Sequence, residues 1–333
     1  MQLEATTEAG AETVRIGVFS YMAASSETSL FRNGKVLTRR DADGSDAEWK
    51  GVDLVKREMP VLDARRLTGA EQPTLTHNGF EIVERPLADP GLDFLDHEQV
   101  VRSYYPQCED VIREATGASI VAAFDHNVRS AAGKQSKKRI EGGQQVQGPA
   151  HVVHGDYTMT SSIQRMRDLT NPPSSNDTLR SVLGEGRSLL DTEAVERALD
   201  SGRFAIINLW RNIASEPVAT NPLAMCDAAT VRPEDLVVFE IHYADRIGEN
   251  YFARHSDRHE WYCYPGLTRN EALLLKQWDS EGGMARSKGE RPDSPDAGAE
   301  CTFSFHSAFE DPTTPPDAPD RWSIETRCMV LYD

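Results

Sequence analysis

Five short runs in the second half of the chain are rich in β-branched and aromatic residues, and they constrain the fold more than any other feature. The runs are FAIINLWRNI, DLVVFEIHYA, EWYCYPG, CTFSFHSAF and SIETRCMVLYD, and Pro, Gly, Asp and Asn punctuate the sequence around them. Runs of this length and composition, bounded by turn-forming residues, are typical of β-strands. Their spacing favours an antiparallel sandwich or barrel.

Helical patterns occur outside these runs. The segment from His97 to Thr116 spaces its apolar side chains at helical intervals, Gly117 supplies a stop, and Pro106 predicts a bend or a break. A second helix is predicted in DTEAVERALDS, with Asp191 as its N-cap. The chain is therefore predicted to be mainly β with flanking helices.

Length and composition permit one large core or two modest ones, since the 333 residues are 39% hydrophobic and 27% charged. We predict a flexible tail over residues 1–12 and a single elaborated domain over residues 13–333. Two segments within it, at about 133–148 and 281–300, are rich in Gly and polar residues. We interpret both as mobile inserts.

The charge balance argues against a nucleic acid partner. The formal net charge is -17, and the only compact basic run is KQSKKR at residues 134–139. No run of about 18 apolar residues exists, and the first residues lack the pattern of a signal peptide, so we predict a cytoplasmic protein with no membrane partner. The five cysteines are an odd number and widely spread, which predicts buried free thiols in a reducing compartment.

The segment HVVHGDYT at residues 151–158 carries the main chemical signal. On a strand, His154 and Asp156 project from the same face and can reach one point in space. A third ligand is expected from His306 in the strand-like FSFHSAFEDP, although a core histidine bonded to backbone is the competing interpretation. Two imidazoles and one carboxylate leave three coordination positions open, as non-heme Fe(II) oxygenases require. We therefore predict that His154, Asp156 and His306 bind the metal and are catalytic.

An arginine close to the His306 strand favours 2-oxoglutarate as cosubstrate. A planar guanidinium forms two parallel charge-assisted hydrogen bonds with a carboxylate. Both Arg321 and Arg327 in the terminal RWSIETRCMVLYD qualify by position, with a slight preference for Arg321. Thr158 shares a strand face with His154 and Asp156, so we predict that it also contacts the cosubstrate.

Several segments, in order along most of the chain, resemble the family of gibberellin GA4 desaturase-like, aspergillic-acid hydroxylase-like and cephamycin CmcJ-like proteins. They are VLDARRL, HNGFEIVERP, VVRSYYPQCEDVIREATGA, FDHNVR, HVVHGDYT, INLWRNI, PLAMCDAATV, EWYCYPGLTRNEALLLKQWDS, and the tail from HSAFEDP to RWSIETR. Two positions depart from the family pattern. Gly155 stands where Val is usual between the ligands, and Asn212 stands where Pro is common after WR.

The resemblance implies a double-stranded β-helix (jelly-roll) core, Fe(II), 2-oxoglutarate and dioxygen. It further implies a small-molecule substrate, natural-product biosynthesis, and hydroxylation, desaturation or oxidative cyclisation as the outcome. Neither the substrate, nor the choice among these outcomes, nor the oligomeric state follows from the sequence.

Three further residues are candidates for contact with the substrate. Arg211 matches the WR of the family, Tyr157 follows the ligand pair directly, and His126 precedes the insert at 133–148. A structural ion pair for Arg211 and a surface cap for His126 are the competing interpretations. His255 and His259 have the i,i+4 spacing of a helical zinc site, but the surrounding charges are typical of a solvated loop, so we reject that site.

Two other functional classes fit the same fold. A cupin-like binding protein would keep the jelly roll without turnover, and a metal-dependent isomerase or lyase would use the same ligands without consuming 2-oxoglutarate. The complete His, Asp, His set with a nearby arginine favours the oxygenase, because a binding protein has no need of a carboxylate that leaves iron open to oxygen.

Overall fold

Fourteen β-strands form the framework of the fold in a computed structural model that describes residues 14–39, 49–174, 177–243 and 246–332. The strands are β1 (Val14–Met22), β2 (Leu37–Arg39), β3 (Leu54–Asp63), β4 (Phe80–Glu84), β5 (Ile120–Arg129), β6 (His154–Gly155), β7 (Arg203–Asn212), β8 (Leu223–Cys226), β9 (Leu236–His242), β10 (Ile247–Ala253), β11 (Trp261–Cys263), β12 (Glu271–Asp279), β13 (His306–Ala308) and β14 (Ser323–Tyr332). The predicted tail at residues 1–12 lies outside the described residues.

The strands are arranged in two sheets. The larger has the order β1-β3-β11-β8-β13-β6-β10-β9-β2, and the smaller has the order β4-β12-β7-β14-β5. Every pairing in the smaller sheet is antiparallel, and in the larger sheet only β3 with β11 and β2 with β9 run parallel. Side chains of the smaller sheet hydrogen-bond to residues of the larger one, so the two sheets face each other.

The helices are short and lie in the connections between strands. They are α1 (His97–Gln99), α2 (Tyr105–Thr116), α3 (Ala131–Gln135), α4 (Ser161–Asp168), α5 (Thr192–Asp200) and α6 (Gly283–Arg286). A π-helical turn spans Val100–Tyr104, and 3₁₀ turns span Ala64–Arg66, Gly69–Glu71, Thr178–Ser181, Ala228–Thr230 and Pro233–Asp235. None of the helices in the described part of the chain is long and apolar enough to cross a membrane.

The helix predicted from His97 to Thr116 is present and continuous. A π-helical turn at Val100–Tyr104 replaces the bend or break that Pro106 predicted. Asp96 caps the start of the helix by accepting a hydrogen bond from the backbone nitrogen of Gln99. The π turn directly precedes α2, which begins at Tyr105 and has Pro106 in its first turn, where a missing N–H costs little. Gly117 ends the helix in the left-handed conformation, with a φ of 67°, as the sequence predicted.

A large apolar core fills the space between the sheets and beneath the helices. Phe19 stacks on Trp261 with ring centroids 4.4 Å apart, and Phe303 lies edge-on to Phe305 at 5.3 Å. Burial of each large side chain of this kind contributes roughly 1.5 to 3 kcal/mol, which holds the two sheets together. Strand β7 is buried along almost all of its length because it lies in the middle of the smaller sheet and is covered by the larger one.

All five cysteines are free and buried, which confirms the prediction for these residues.

Asp191 accepts a hydrogen bond from the backbone nitrogen of Ala194 and so caps α5 as predicted. Helix α3 begins just ahead of the first predicted insert, and α6 lies in the second with Met284 buried. Movement of the two inserts, and the assignment of one domain to residues 13–333, stay predictions.

Candidate metal centre

The two predicted histidine ligands lie side by side on neighbouring strands of the larger sheet. His154 in β6 is the antiparallel partner of His306 in β13, and the centroids of the two imidazole rings are 4.3 Å apart. Asp156 follows β6 directly, and its Oδ1 atom lies 3.6 Å from Nε2 of His154. Potential ligand atoms of all three side chains lie within 4.8 Å of one another. Over the described residues, no other cluster of three or more His, Cys, Asp or Glu side chains is this close.

The smaller sheet supports this triad from the opposite side. Asn208 in β7 donates from Nδ2 to Oδ2 of Asp156 at 2.8 Å, and Gln277 in β12 accepts a hydrogen bond from the Asp156 backbone nitrogen at 3.0 Å. Arg327 in β14 donates from Nε to the same Oδ2 atom at 3.1 Å. The triad is therefore held between the sheets by hydrogen bonds as well as by its own strands.

The electrostatics of the triad match a divalent cation. Burial, followed by the proximity of His306, lowers the pKa of His154 to about 4, and burial also lowers the pKa of His306 to about 4. Burial alone would raise the pKa of Asp156, but Arg327 and the two histidines outweigh it and hold that pKa well below its ordinary range. At neutral pH the site therefore offers two neutral imidazoles and one carboxylate.

The orientation of His154 also fits the role of a ligand. Its Nδ1 atom lies 2.7 Å from the backbone oxygen of Val152 and donates to it, which leaves the lone pair of Nε2 facing Asp156 and His306. Two imidazoles and one carboxylate with open positions are the ligand set of non-heme Fe(II) enzymes. The residues present therefore fit Fe(II), with His154, Asp156 and His306 as the residues that would hold it.

A narrow cavity lies beside the histidines. It has about 10 Å³ of space open to water, which is roughly one water molecule. Its lining consists of Arg129, Ala150, His154, Trp210, Leu223, His306, Ala308, Arg321 and Glu325. An organic ligand would therefore enter next to the two histidines only if these side chains moved apart.

Arg321 lines this cavity and is a buried cation with few partners. Its Nη1 atom donates to the backbone oxygen of Asn221, and the guanidinium lies 5.7 Å from the ring centroid of Trp210. Its buried Nε has no hydrogen-bond partner within the described chain. Burial, followed by repulsion from Arg129, lowers the pKa of Arg321 to about 9, so the group still carries its charge at neutral pH.

Arg327, the other predicted cosubstrate residue, is surrounded by carboxylates. Besides Asp156, it donates from Nη1 to Asp125 at 2.8 Å and from Nη2 to Glu325 at 3.0 Å. Burial alone would lower the pKa of Arg327. Attraction to Asp156, Glu325 and Asp125 outweighs burial and holds that pKa well above its usual range. The structure thus places the two arginines in different surroundings.

Two more of the predicted site residues, Tyr157 and Thr158, directly follow Asp156 in the chain. Thr158 donates to Glu249 at 2.6 Å and accepts from the backbone nitrogen of Ser161, so its hydroxyl supports the start of α4. Tyr157 is partly buried against the main apolar core. Neither residue lines the cavity beside the histidines. Their predicted contacts with cosubstrate and substrate stay predictions.

Arg211 and His126 are also engaged with protein groups. Arg211 donates to the hydroxyl of Tyr104 at 3.1 Å and to the backbone oxygens of Arg85 and Arg269 at 2.7 Å each. Nδ1 of His126 lies 2.8 Å from the hydroxyl of Tyr105, and both residues are buried. Their predicted contacts with the substrate also stay predictions.

Sequence reasoning missed four residues around the triad: Asn208, Gln277, Asp125 and Glu325. Two of them carried a visible signal. Asn208 interrupts the apolar run FAIINLW, and Gln277 lies between the apolar ALLL and Trp278. A polar side chain inside a buried strand needs a hydrogen-bond partner. The two acids carried no comparable signal, because their strands mix polar and apolar residues.

The histidines rejected as a zinc site lie outside any helix, as the sequence indicated. Nε2 of His259 lies 3.3 Å from Asp235, and its Nδ1 lies 3.1 Å from the hydroxyl of Tyr21. Nε2 of His255 faces the sulfur of Met59 at 3.2 Å. Both rings contact the ring of Tyr21, but they belong to no group of three metal-binding side chains among the described residues. His259 is buried, so the solvated loop that the sequence predicted does not extend to this residue.

Gly155, the departure from the expected Val, is explained by an aromatic ring. A Cβ atom at this position would lie 3.0 Å from two carbon atoms of the Phe303 ring, which fills the space beside β6. Gly155→Val should therefore overpack the sandwich and reduce the free energy of unfolding by about 1 to 3 kcal/mol. Thermal unfolding of the metal-free protein measures this loss.

Gly184→Val is the matched control, because Gly184 is exposed and meets only the flexible side chain of Arg187. It should change the melting temperature little. An unchanged melting temperature for Gly155→Val would contradict the assigned role of Phe303.

Known proteins that are similar to this chain include oxidoreductases. Residues 19–331 match the family model described as oxidoreductase/YMDC permease-like domain. An uncharacterised protein in the dcmA 3' region of Methylophilus leisingeri is 45% identical over 195 residues, which cover 58% of this chain and 88% of the relative. The hydroxylase/desaturase poxK of Penicillium oxalicum is 29% identical, over 84% of this chain and 81% of its own. The alpha-ketoglutarate-dependent dioxygenase tstK of Talaromyces stipitatus is 28% identical, over 89% and 92%.

The fold is also found in a solved structure. The iron and alpha-ketoglutarate-dependent endoperoxidase NvfI superposes with a TM-score of 0.71 over 96% of this chain and 98% of its own, at 22% sequence identity. The match confirms the prediction of a mainly β protein with a jelly-roll core.

Proposed function

Since this chain belongs to the family described as oxidoreductase/YMDC permease-like domain, we propose that its triad and Arg321 together oxidise a small metabolite. The protein is an Fe(II)- and 2-oxoglutarate-dependent dioxygenase of secondary metabolism, and its relatives include enzymes named hydroxylase/desaturase and alpha-ketoglutarate-dependent dioxygenase. Among such enzymes, we assign it to the GA4 desaturase-like, aspergillic-acid hydroxylase-like and CmcJ-like group. The segments shared with that group support the assignment.

The buried Nε atom of Arg321, which has no hydrogen-bond partner among the described residues, is the observation that carries the proposal. A buried charge without a carboxylate partner is costly, and the cost falls when an anion arrives. Arg321 lines the same cavity as His154 and His306, so a ligand bound to the arginine lies next to the metal ligands. Once the lining side chains move apart, a dicarboxylate with a keto acid at one end can contact Arg321 and the metal ligands together, and 2-oxoglutarate is such a molecule.

We assign each residue a role on this basis. His154, Asp156 and His306 hold Fe(II), which supplies when bound the dioxygen chemistry that side chains lack. Arg321 binds the distal carboxylate of 2-oxoglutarate and so fixes the direction in which the cosubstrate enters. The apolar faces of Trp210, Leu223 and Ala308 limit the water around it.

The overall reaction then balances. 2-Oxoglutarate loses two electrons as it becomes succinate and carbon dioxide, and the organic substrate loses two more. Together they reduce one dioxygen molecule. One oxygen atom enters succinate. The other enters the substrate in hydroxylation, or leaves as water with two hydrogens from the substrate in desaturation or ring closure.

Location and partners are also part of the proposal. The five free, buried cysteines support the reducing cytoplasm as the compartment. The net charge of -17 supports a small-molecule substrate rather than nucleic acid.

Succinate production tests the proposed function. Aerobic incubation of the purified protein with Fe(II), ascorbate and 2-oxoglutarate should form succinate slowly, and a true substrate added from a panel of small metabolites should accelerate it. A metal chelator should stop the reaction. A binding protein, or an isomerase or lyase on the same fold, would form no succinate with any member of the panel, and that result would reject the proposal.

A further inference from the structure

The two oxygens of the Asp156 carboxylate have different surroundings. Oδ1 faces Nε2 of His154 at 3.6 Å. Oδ2 accepts two hydrogen bonds from the smaller sheet, one from Asn208 at 2.8 Å and one from Arg327 at 3.1 Å. The carboxylate is thus oriented by protein groups.

The two donors form one structural unit. Arg327 in β14 is the direct antiparallel partner of Asn208 in β7, so their side chains leave neighbouring points of the smaller sheet. Asn208 is completely buried, and its amide is oriented by this bond because only the NH₂ group can donate to a carboxylate. We call Asn208 and Arg327 the carboxylate clamp.

Arg327 is itself held in place. Its Nη1 and Nη2 atoms contact Asp125 and Glu325, so the three nitrogens of the guanidinium each have a carboxylate partner. A planar group fixed at three points presents its Nε–H in one direction. Binding a cosubstrate carboxylate would require Arg327 to give up at least one of these pairs, whereas Arg321 has an unpaired nitrogen already.

We propose that the carboxylate clamp is a pair of positioning residues that raise the metal affinity by holding the Asp156 carboxylate with Oδ1 toward His154. A ligand that outer hydrogen-bond partners already orient binds a metal more tightly than one that is free to turn. Without the clamp, the carboxylate would have to be ordered at the moment of metal binding. This inference rests on the proposed function and assigns Arg327 to Asp156 rather than to 2-oxoglutarate.

Paired titrations of the complete protein separate the two arginine roles. Anaerobic titration with Fe(II), and with Mn(II) as a redox-stable probe, gives the metal affinity, and 2-oxoglutarate is then titrated onto iron-loaded protein. Arg327→Lys and Asn208→Ser should each weaken metal binding by roughly 10- to 100-fold, the usual effect of losing an outer partner of a ligand. The 2-oxoglutarate midpoint should stay within about threefold of that of the native protein, whereas Arg321→Lys should show the opposite pattern.

Asn212→Ser is the matched control for Asn208→Ser. Asn212 is a second buried asparagine of β7, and it donates to the backbone oxygens of Glu216 and Leu267 instead of to Asp156. Its replacement should leave the metal affinity unchanged. Thermal unfolding of each metal-free variant confirms that a folded protein is compared, and Asn208→Ser provides the test if Arg327→Lys does not fold.

Two results would overturn the inference. One is native metal affinity in both clamp variants, and the other is a raised 2-oxoglutarate midpoint in Arg327→Lys with unchanged metal affinity. Failure of the proposed function is distinguishable, because the native protein would then bind no 2-oxoglutarate while the metal titrations still report on the clamp.

Discussion

Asp156→Ala should lose Fe(II) binding and turnover together. The change removes the only carboxylate of the triad, and loss of an outer partner alone commonly costs 10- to 100-fold in metal affinity, so we expect a loss on the order of 100-fold or more. Succinate production should fall to the background given by free iron. Metal titration and succinate formation, measured on the same preparation, test both losses.

The fold should survive this change, at some cost in stability. The substitution leaves Asn208 and Arg327 without one acceptor, which costs about 1 to 3 kcal/mol. Asp227→Asn is a suitable control, since Asp227 is a buried carboxylate that accepts hydrogen bonds from Asn78 and from the backbone of Ala229, remote in sequence from the triad. An Asp156→Ala protein that still binds iron and forms succinate would refute the triad.

Arg321→Lys should raise the 2-oxoglutarate concentration needed for half-maximal turnover by about 10- to 100-fold, since a hydrogen bond to a charged group contributes roughly 1.5 to 3 kcal/mol. Lysine keeps the charge but cannot form the two parallel bonds of a guanidinium. The requirement for the organic substrate should change far less. Steady-state kinetics with each component varied in turn measure both quantities.

Arg211→Lys controls for the general effect of replacing a buried arginine. Arg211 is bonded to a tyrosine hydroxyl and two backbone oxygens and does not line the cavity. The Arg211→Lys variant should therefore need nearly the native concentration of 2-oxoglutarate for half-maximal turnover. A native requirement in Arg321→Lys, combined with a raised one in Arg327→Lys, would transfer the cosubstrate role to Arg327.

The sequence predicted the features that depend on local periodicity and on ligand chemistry. The sequence predicted that His154 and Asp156 lie close together, although β6 ends at Gly155 and Asp156 follows it instead of continuing the strand. The aromatic run around His306 placed the third predicted ligand on a strand. The helix from His97 to Thr116 and its glycine stop followed from local rules as well.

Contacts across the sandwich were beyond the reach of local patterns. Asn208 and Gln277 meet Asp156 only because the smaller sheet packs over β6, and no local pattern specifies which strand lies opposite another. The partners of Arg321 and Arg327 also depend on how the sheets pack, so the local sequence could not distinguish the two arginines. Only the fold shows that Arg327 is hydrogen-bonded to three acids, whereas the buried Nε of Arg321 has no hydrogen-bond partner among the described residues.

Anaerobic absorption spectroscopy tests the central claim most directly, because it requires no knowledge of the organic substrate. Addition of Fe(II) and then 2-oxoglutarate to the native protein should produce a weak visible charge-transfer band that saturates at one equivalent of each. The band should be absent from Asp156→Ala and should require more 2-oxoglutarate in Arg321→Lys. A native protein that binds Fe(II) but shows no band at any 2-oxoglutarate concentration would contradict the assignment of this chain as a 2-oxoglutarate-dependent oxygenase.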